Sequence, residues 1–405
     1  MFTFEGTRRK SLLKVTIKVQ NPKFYWKIVT KAEFGLADAY INGDFTVDDK
    51  NEGLLDMFTL HLCGFRGWWT PIILTAAISN AKHYYHYVMK KNTITQARRN
   101  ISHHYDLSNE VFSLFLDETM AYSCAIFKDE DLKTAQERKI SSLIKKAKVD
   151  KNHEVLEMGC GWGAFAIELV KQTGCKYTGI TLSKEQMQYA ENKVKEADLQ
   201  DRIRFLLCDY RELPDKCKYD RIIGCEMVEH VGHEYYEEFF RCCESALAED
   251  GILVLQFSSV PDGKYDEFRR TPGFIGEYIF PGGDLPSLNR LTSAMAASSR
   301  LCVDHVEQIG THYPQTIRCW RAKFLENQSK ILALGFNQEL IHTWEYYFDS
   351  TAAAFKTELI LNYQVIIYMY STSQVDNHKS YIKIILPFSE TTHKCACTQT
   401  CIFLL

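Results

Sequence analysis

The chain has 405 residues, 46% of them hydrophobic and 24% charged, with 48 Lys and Arg against 51 Asp and Glu for a formal charge of −3. That apolar supply fills the core of one large or two ordinary domains and excludes a disordered chain. The near-neutral balance excludes bulk electrostatic attraction to nucleic acid or acidic membranes, leaving local basic patches.

The chain opens Met1-Phe-Thr-Phe-Glu-Gly without the charged-then-apolar layout of a secretory signal. Its 14 cysteines are therefore expected to be reduced thiols of a cytoplasmic protein. Residues 12–60 mix β-rich runs such as Leu13-Lys-Val-Thr-Ile-Lys-Val with a helix-like stretch, which predicts a small α+β module. No apolar run reaches the ~20 residues that cross a bilayer. Gly67–Ala77, with Trp68 and Trp69, is too short to cross but suits an interface, or a buried core helix. Thr70–Ser102 is predicted to be a helical connector, basic near its end at Lys90, Lys91, Arg98 and Arg99. The expected organisation is residues 1–100 as a small N-terminal domain with its connector, 101–370 as a catalytic domain, and 371–405 as an irregular tail.

Apolar residues at helical spacing over Leu132–Lys148 lead into the short apolar strand Glu154-Val-Leu-Glu-Met-Gly. Alternation follows: helix Ala164–Thr173, strand Lys176–Thr181, helix Lys184–Ala197, strand Ile203–Cys208, strand Asp220–Cys225, helix Glu234–Ala248 and strand Gly251–Phe257. This rhythm predicts a parallel, doubly wound sheet, an α/β Rossmann-like domain. Residues 258–290, rich in Pro and Gly, read as a long loop of the kind that forms lids or binding elements. Helices are expected within 319–356, and Leu359–Tyr370 as a late strand. Cys395, Cys397, Cys401 and His393 crowd the tail, which reads as unfolded chain rather than a zinc site.

Glu157-Met-Gly159-Cys-Gly161-Trp-Gly163 lies between the first strand of this rhythm and its helix. Glycines there let backbone approach a ligand, and Glu157 can accept hydrogen bonds from an ammonium group or water. The spacing is not Gly-x-Gly-x-x-Gly, and no phosphate-binding lysine follows, which favours S-adenosylmethionine (SAM) over a dinucleotide. Thr181-Leu-Ser183-Lys-Glu-Gln186 ends the second strand; Gln186 is placed to reach a ribose, or Ser183 and Gln186 form a helix capping box. Asp209, in Cys208-Asp-Tyr210-Arg, is positioned to accept from an adenine amino group or to form a turn.

With Ala121-Tyr122-Ser123-Cys124 upstream and Glu229-His230-Val-Gly and Tyr278-Ile-Phe-Pro-Gly-Gly-Asp-Leu-Pro downstream, the chain resembles the cyclopropane-fatty-acyl-phospholipid synthases over roughly residues 12–366. Asn21-Pro-Lys-Phe-Tyr-Trp and Ala37-Asp-Ala-Tyr-Ile-Asn-Gly-Asp-Phe look like the N-terminal domain of the full-length bacterial and plant enzymes. The resemblance implies a class I SAM-dependent methyltransferase that transfers a methyl group to the cis double bond of a phospholipid acyl chain. A carbocation forms, and a bicarbonate ion acts as general base while the ring closes. By position it implies Cys124, Glu229 and Tyr347 around that anion. Gln256 stands where bacterial members supply histidine, and His230 orients Glu229 or packs beneath it. It further implies Tyr122 and Ser123 closing over SAM, Gly159 and Gly161 under its methionine part, Thr181 and Gln186 near the ribose, and Asp209 with Tyr210 near adenine. Plant relatives carry a flavin-oxidoreductase-like half before this region, so the chain reads as a fragment or a shorter isoform.

The partner expected is unsaturated phospholipid, met through peripheral membrane contact at Trp68-Trp69, Arg98 or Arg269-Arg270, with no nucleic acid. Oligomeric state stays open, a homodimer included. Two other functions fit the same catalytic domain: an alkaloid-type amine N-methyltransferase, and a catalytically silent SAM- or lipid-binding protein.

Overall fold

The structure, a computed structural model, describes residues 2–5, 13–64, 92–105, 108–213, 218–270 and 273–370. The Trp68-Trp69 stretch, Lys90, Lys91 and the cysteine-bearing tail lie outside the described residues.

The chain begins with an antiparallel sheet of β1 (Phe2–Glu5), β2 (Lys14–Val19) and β3 (Phe45–Val47), in that order. β2 alternates: Val15 and Ile17 turn inward to pack with Ala39 and Phe45. Between β2 and β3 runs the helix Lys23–Ile41, begun by the Asn21 carboxamide accepting from the Lys23 N–H at 3.0 Å and ended at Gly43, whose φ of +71° favours glycine. The helices Lys23–Ile41 and Gly53–Gly64 both pack on the helix Gln338–Lys356. Buried ion pairs bind that last helix to the helix Tyr313–Glu326: Arg321 meets Asp349 at 2.7 Å and Glu345 at 2.6 Å, and its donation to the Lys50 carbonyl ties in the N-terminal module. The described residues form one compact unit.

The main sheet has seven strands: β4 (Glu154–Met158), β5 (Lys176–Thr181), β6 (Ile203–Leu207), β7 (Tyr219–Cys225), β8 (Leu247–Ser259), β9 (Leu301–Gln308) and β10 (Leu361–Met369), in the order β6-β5-β4-β7-β8-β10-β9. The first five are parallel, as their rhythm predicts, but β10 runs antiparallel to both β8 and β9. The expectation of a parallel sheet is therefore corrected to a mixed one. Both faces are covered: Leu253, Leu255 and Phe257 of β8 enter one core, Ile252 and Val254 the other, so the strand reads as a continuous apolar run. The helix Leu288–Ser298 and β9, at the sheet edge, had no counterpart in the expected elements. β9 is exposed along nearly its whole length, with Asp304, His305 and Glu307 in the body of the strand, the charge that blunts a free edge.

β5 leaves β4 on one side and β7 flanks it on the other, so the order reverses between β4 and β7. Ligands of open α/β sheets bind beyond the carboxyl ends of the strands at such a switch point. The Glu157–Gly163 loop follows β4 and the run Glu226–His230 follows β7, which places the two side by side.

Candidate active site

The helix Leu132–Ala147 starts on Asp131, whose carboxylate accepts from the Thr134 N–H at 2.8 Å. Its buried face is apolar except for Gln136 and Lys139. Both reach the upstream loop: Gln136 donates to the Ser123 carbonyl at 2.9 Å and Lys139 to the Ser123 hydroxyl at 2.8 Å. A buried ammonium and amide thus hold Tyr122–Cys124 against the sheet, and neither was among the residues expected from sequence.

A cleft beside β4 is lined by Tyr122, Ser123, Lys139, Glu157, Gly159, Gly161, Gly163, Thr181, Gln186, Asp209 and Tyr210. Every expected cofactor residue is brought to this one wall. Gly161 has φ +49° and a Cβ there would meet nothing within 4 Å, so this face is bare backbone. Gly163, φ +86°, packs so closely that a Cβ would stand 2.8 Å from that of Ala190. Glu157 accepts a short hydrogen bond from the Tyr177 hydroxyl, and burial pushes its carboxyl up to about 7 against the pull of that bond and of Lys139. The helix cap also forms: the Ser183 hydroxyl accepts from the Gln186 N–H at 3.2 Å. The Gln186 side chain turns away from the cap, accepting from the Thr181 hydroxyl at 3.2 Å, so cap and cleft position coexist. Asp209 caps the turn Tyr210–Glu212 and is bound by Arg211 at 2.7 and 2.9 Å. A turn role for Asp209 is thus built, and an adenine would share oxygens already paired with a guanidinium.

A second, larger cavity of about 1460 Å³ runs from the N-terminal module to the carboxyl end of β7. Its wall is largely aliphatic and aromatic, including Ile28, Phe58, Phe274, Phe280, Tyr346 and Phe355. Tyr122, Glu226 and His230 line both this cavity and the cleft, so the two spaces meet there.

At the junction lies a cluster that the sequence reading only partly foresaw. Glu226 follows β7 in the left-handed region, φ +53°, a conformation a non-glycine residue keeps only when its surroundings hold it there. Its Oε1 accepts from the Cys124 backbone N–H, the Gln256 Nε2 and the Asn362 Nδ2, each at 2.9 Å, and its Oε2 from the Tyr313 hydroxyl at 2.5 Å. Glu229 sits in the following turn; its Oε1 accepts from the Ser258 N–H at 2.5 Å and its Oε2 is buried without a hydrogen-bond partner. Burial first, and the Glu226 charge second, push the Glu229 carboxyl well up from the ordinary range.

Several expected roles change here. Cys124 contributes its backbone N–H, while its thiol points to the Ala125 and Ile309 carbonyls, and burial pushes that thiol up. Tyr347 accepts from the Tyr122 hydroxyl at 3.1 Å and lines the cavity with Glu226, while Tyr313 is the tyrosine whose hydroxyl donates to Glu226. Gln256 is there as expected, oriented by the Gln364 amide donating to its Oε1 at 2.7 Å. His230 has no hydrogen bond to Glu229 among the described residues; its ring faces Phe280 at 5.8 Å, and burial holds it down at about 4. The bicarbonate expectation does not fit this arrangement. The groups that would hold the anion, the Cys124 N–H, Gln256 and a tyrosine hydroxyl, already donate to Glu226, and an added anion would meet its carboxylate.

Over residues 92–365 the sequence matches the family described as mycolic acid cyclopropane synthetase. The chain belongs to that family. It is 36% identical over 278 residues to the tuberculostearic acid methyltransferase UfaA1 of Mycobacterium tuberculosis, a match spanning 66% of this chain and 64% of that relative. It is 29% identical over 359 residues to the cyclopropane-fatty-acyl-phospholipid synthase of Escherichia coli, with 86% and 87% covered. The crystal structure of the mycolic acid cyclopropane synthase CmaA1 complexed with SAH and CTAB superposes with a TM-score of 0.63 at 31% identity, covering 67% of this chain and 98% of that one. A coclaurine N-methyltransferase structure, at TM-score 0.64 and 20% identity over 83% of this chain and 99% of that one, shares the fold. This member of the cyclopropane synthetase family is a SAM-dependent methyltransferase with a Rossmann-like catalytic fold.

Proposed function

We propose that the protein transfers the SAM methyl group to the cis double bond of an unsaturated phospholipid acyl chain and closes a cyclopropane ring. The observation that carries this reading is the apolar cavity of about 1460 Å³ meeting the cofactor cleft at Tyr122, Glu226 and His230. Most small-ligand pockets are about 300–1,000 Å³, and an acyl chain offers nothing but apolar surface to such a wall.

SAM supplies a methyl carbon made electrophilic by the sulfonium it is bonded to. Gly161 leaves bare backbone toward the cleft, Glu157 and Lys139 set its charge, and Gln186 with Thr181 offers polar atoms to a ribose. At the junction the Phe280 ring lies 6.2 Å from that of Tyr122 and 6.0 Å from that of Tyr347, and aromatic π-clouds favour positive charge on a methylated chain. His230, held neutral, adds no positive charge of its own.

Membrane access is supported by the N-terminal helix. Trp26 is 72% exposed, and Tyr25 and Val29, 47% and 48% exposed, also line the cavity, so an apolar patch borders it. Among the described residues no helix is long and apolar enough to cross a membrane. Of the basic candidates, Arg98 pairs with Glu212 and Arg269 with Asp266, and Arg269 also lines the cavity.

The test is purified protein with methyl-labelled SAM and oleoyl-phospholipid vesicles, followed by mass spectrometry of the fatty acids. An acyl chain heavier by one CH2 is expected. Unlabelled lipid alongside measured SAM binding would reject the lipid reading and favour an amine acceptor or a silent binding protein.

A further inference from the structure

We propose that Glu226 is the general base built into this active site, taking over with its own carboxylate the role expected of bicarbonate. The inference rests on the lipid methylation reading above.

Four observations point to it. Glu226 is one of three residues shared by cofactor cleft and apolar cavity, and the other two, Tyr122 and the neutral His230, offer no anionic base. Its carboxylate accepts four hydrogen bonds, three of them from backbone or amide N–H groups that can only donate, a setting that favours a carboxylate there. Oε1 takes three of them while Oε2 takes only the Tyr313 hydroxyl, so Oε2 keeps a lone pair for a proton.

The donors also line up. Lys146, itself ion-paired with Glu307, donates to the Gln364 Oε1, the Gln364 Nε2 to the Gln256 Oε1, and the Gln256 Nε2 to Glu226, so the donors run one way and end on the carboxylate. Finally, Glu229 stands beside it with Oε2 unpartnered, and two charged carboxylates in one buried pocket would repel. One negative charge on the pair, resting on the member with the donors, satisfies both groups.

The step balances as follows. The alkene π pair bonds to the methyl carbon while the carbon–sulfur bond breaks onto sulfur, leaving a cation on the second alkene carbon. The Glu226 carboxylate then takes a proton from the new methyl, and that C–H pair closes the ring. The proton leaves Glu226 for solvent before the next turnover.

The experiment measures labelled lipid product in CO2-free buffer and with added bicarbonate, for wild type, Glu226→Gln and Glu226→Gly, each checked for SAM affinity and melting temperature. Wild type should change less than about 2-fold on bicarbonate removal. Glu226→Gln, which preserves shape and loses the base, should lose at least about 100-fold with SAM affinity within about 3-fold. Glu226→Gly, which frees the donors, should regain activity with bicarbonate or formate but not chloride. A wild type that slows at least about 10-fold without bicarbonate, or a Glu226→Gln near full rate, overturns the proposal. Absence of lipid product from wild type in every buffer, with SAM bound, sinks the lipid reading instead.

Discussion

The cofactor cleft and the Glu226 cluster lie at neighbouring strand ends, yet they are built in opposite ways. The cleft is made from short continuous runs, Glu157–Gly163, Thr181–Gln186 and Asp209–Arg211, each following one parallel strand. The cluster draws Cys124, Glu226, Gln256, Tyr313 and Asn362 from five separate stretches, two of them on the antiparallel pair β8 and β10. Local chain geometry makes a binding site for a constant cofactor, whereas tertiary packing makes the device that acts on the variable acceptor. Binding and turnover should therefore be separable by mutation.

The largest effect is expected in the cleft. Gly163→Val places a Cβ 2.8 Å from that of Ala190 at φ +86°, where strain and overpacking together cost about 3–5 kcal/mol. Melting temperature and SAM binding should both collapse. Gly161→Ala is its control: its Cβ meets nothing within 4 Å, so stability should fall by only about 1–2 kcal/mol while SAM affinity drops, because the added methyl occupies the bare face. Equal stability losses in the two variants would show that the glycines serve the fold alone.

Next comes the cluster. Gln364→Leu cuts the donor chain and leaves the buried Gln256 Oε1 unpartnered, worth about 1–3 kcal/mol. The expected readout is a kcat lower by about 10- to 100-fold with SAM affinity within about 2-fold. A variant that loses SAM affinity and keeps kcat would break the separation. Gln186→Ala should behave in the mirror sense, weakening SAM about 10-fold through one lost polar contact of about 1.4 kcal/mol and leaving kcat nearly unchanged.

The same contrast sets what the sequence could reveal. A glycine run after an apolar strand is a local pattern, and every cofactor residue expected from it lines the cleft. Glu229 and Gln256 were expected only through the family resemblance, by position, since neither stands in a local pattern of its own. Glu226 was missed although it directly follows the apolar strand β7; an acidic residue at the carboxyl end of a strand flanking the switch point was the available signal. Choosing Tyr313 over Tyr347 needs the packing of two helices, and both tyrosines sit among aromatics at helical spacing. Pairing Gln256 with Gln364 needs the register of β10, which depends on its antiparallel direction. Gln136 and Lys139 could have been noticed: two polar residues on an otherwise apolar helix face are seldom left without a buried partner.

The smallest expected effect concerns His230, which belongs to both regions. Burial holds its ring at about 4, below the ordinary value of about 6.5, so the imidazolium is disfavoured in the fold. As pH falls from 6.5 toward 4, the unfolded chain takes up a proton that the folded chain refuses, and stability declines through that window by up to about 3 kcal/mol. Glu157, held up at about 7, and Asp349, held up at about 6, act with the opposite sign, since the fold binds their protons more readily than the unfolded chain does. The wild-type profile alone therefore mixes opposing slopes. The difference between wild type and His230→Phe, measured by denaturant unfolding at several pH values, removes the carboxylates from the comparison. His230→Phe should keep the ring contact with Phe280 and flatten the decline between pH 6.5 and 4. Parallel profiles would mean that His230 meets enough water at the junction to titrate freely, and the meeting point of the two regions would then be too wet for a carbocation to survive there.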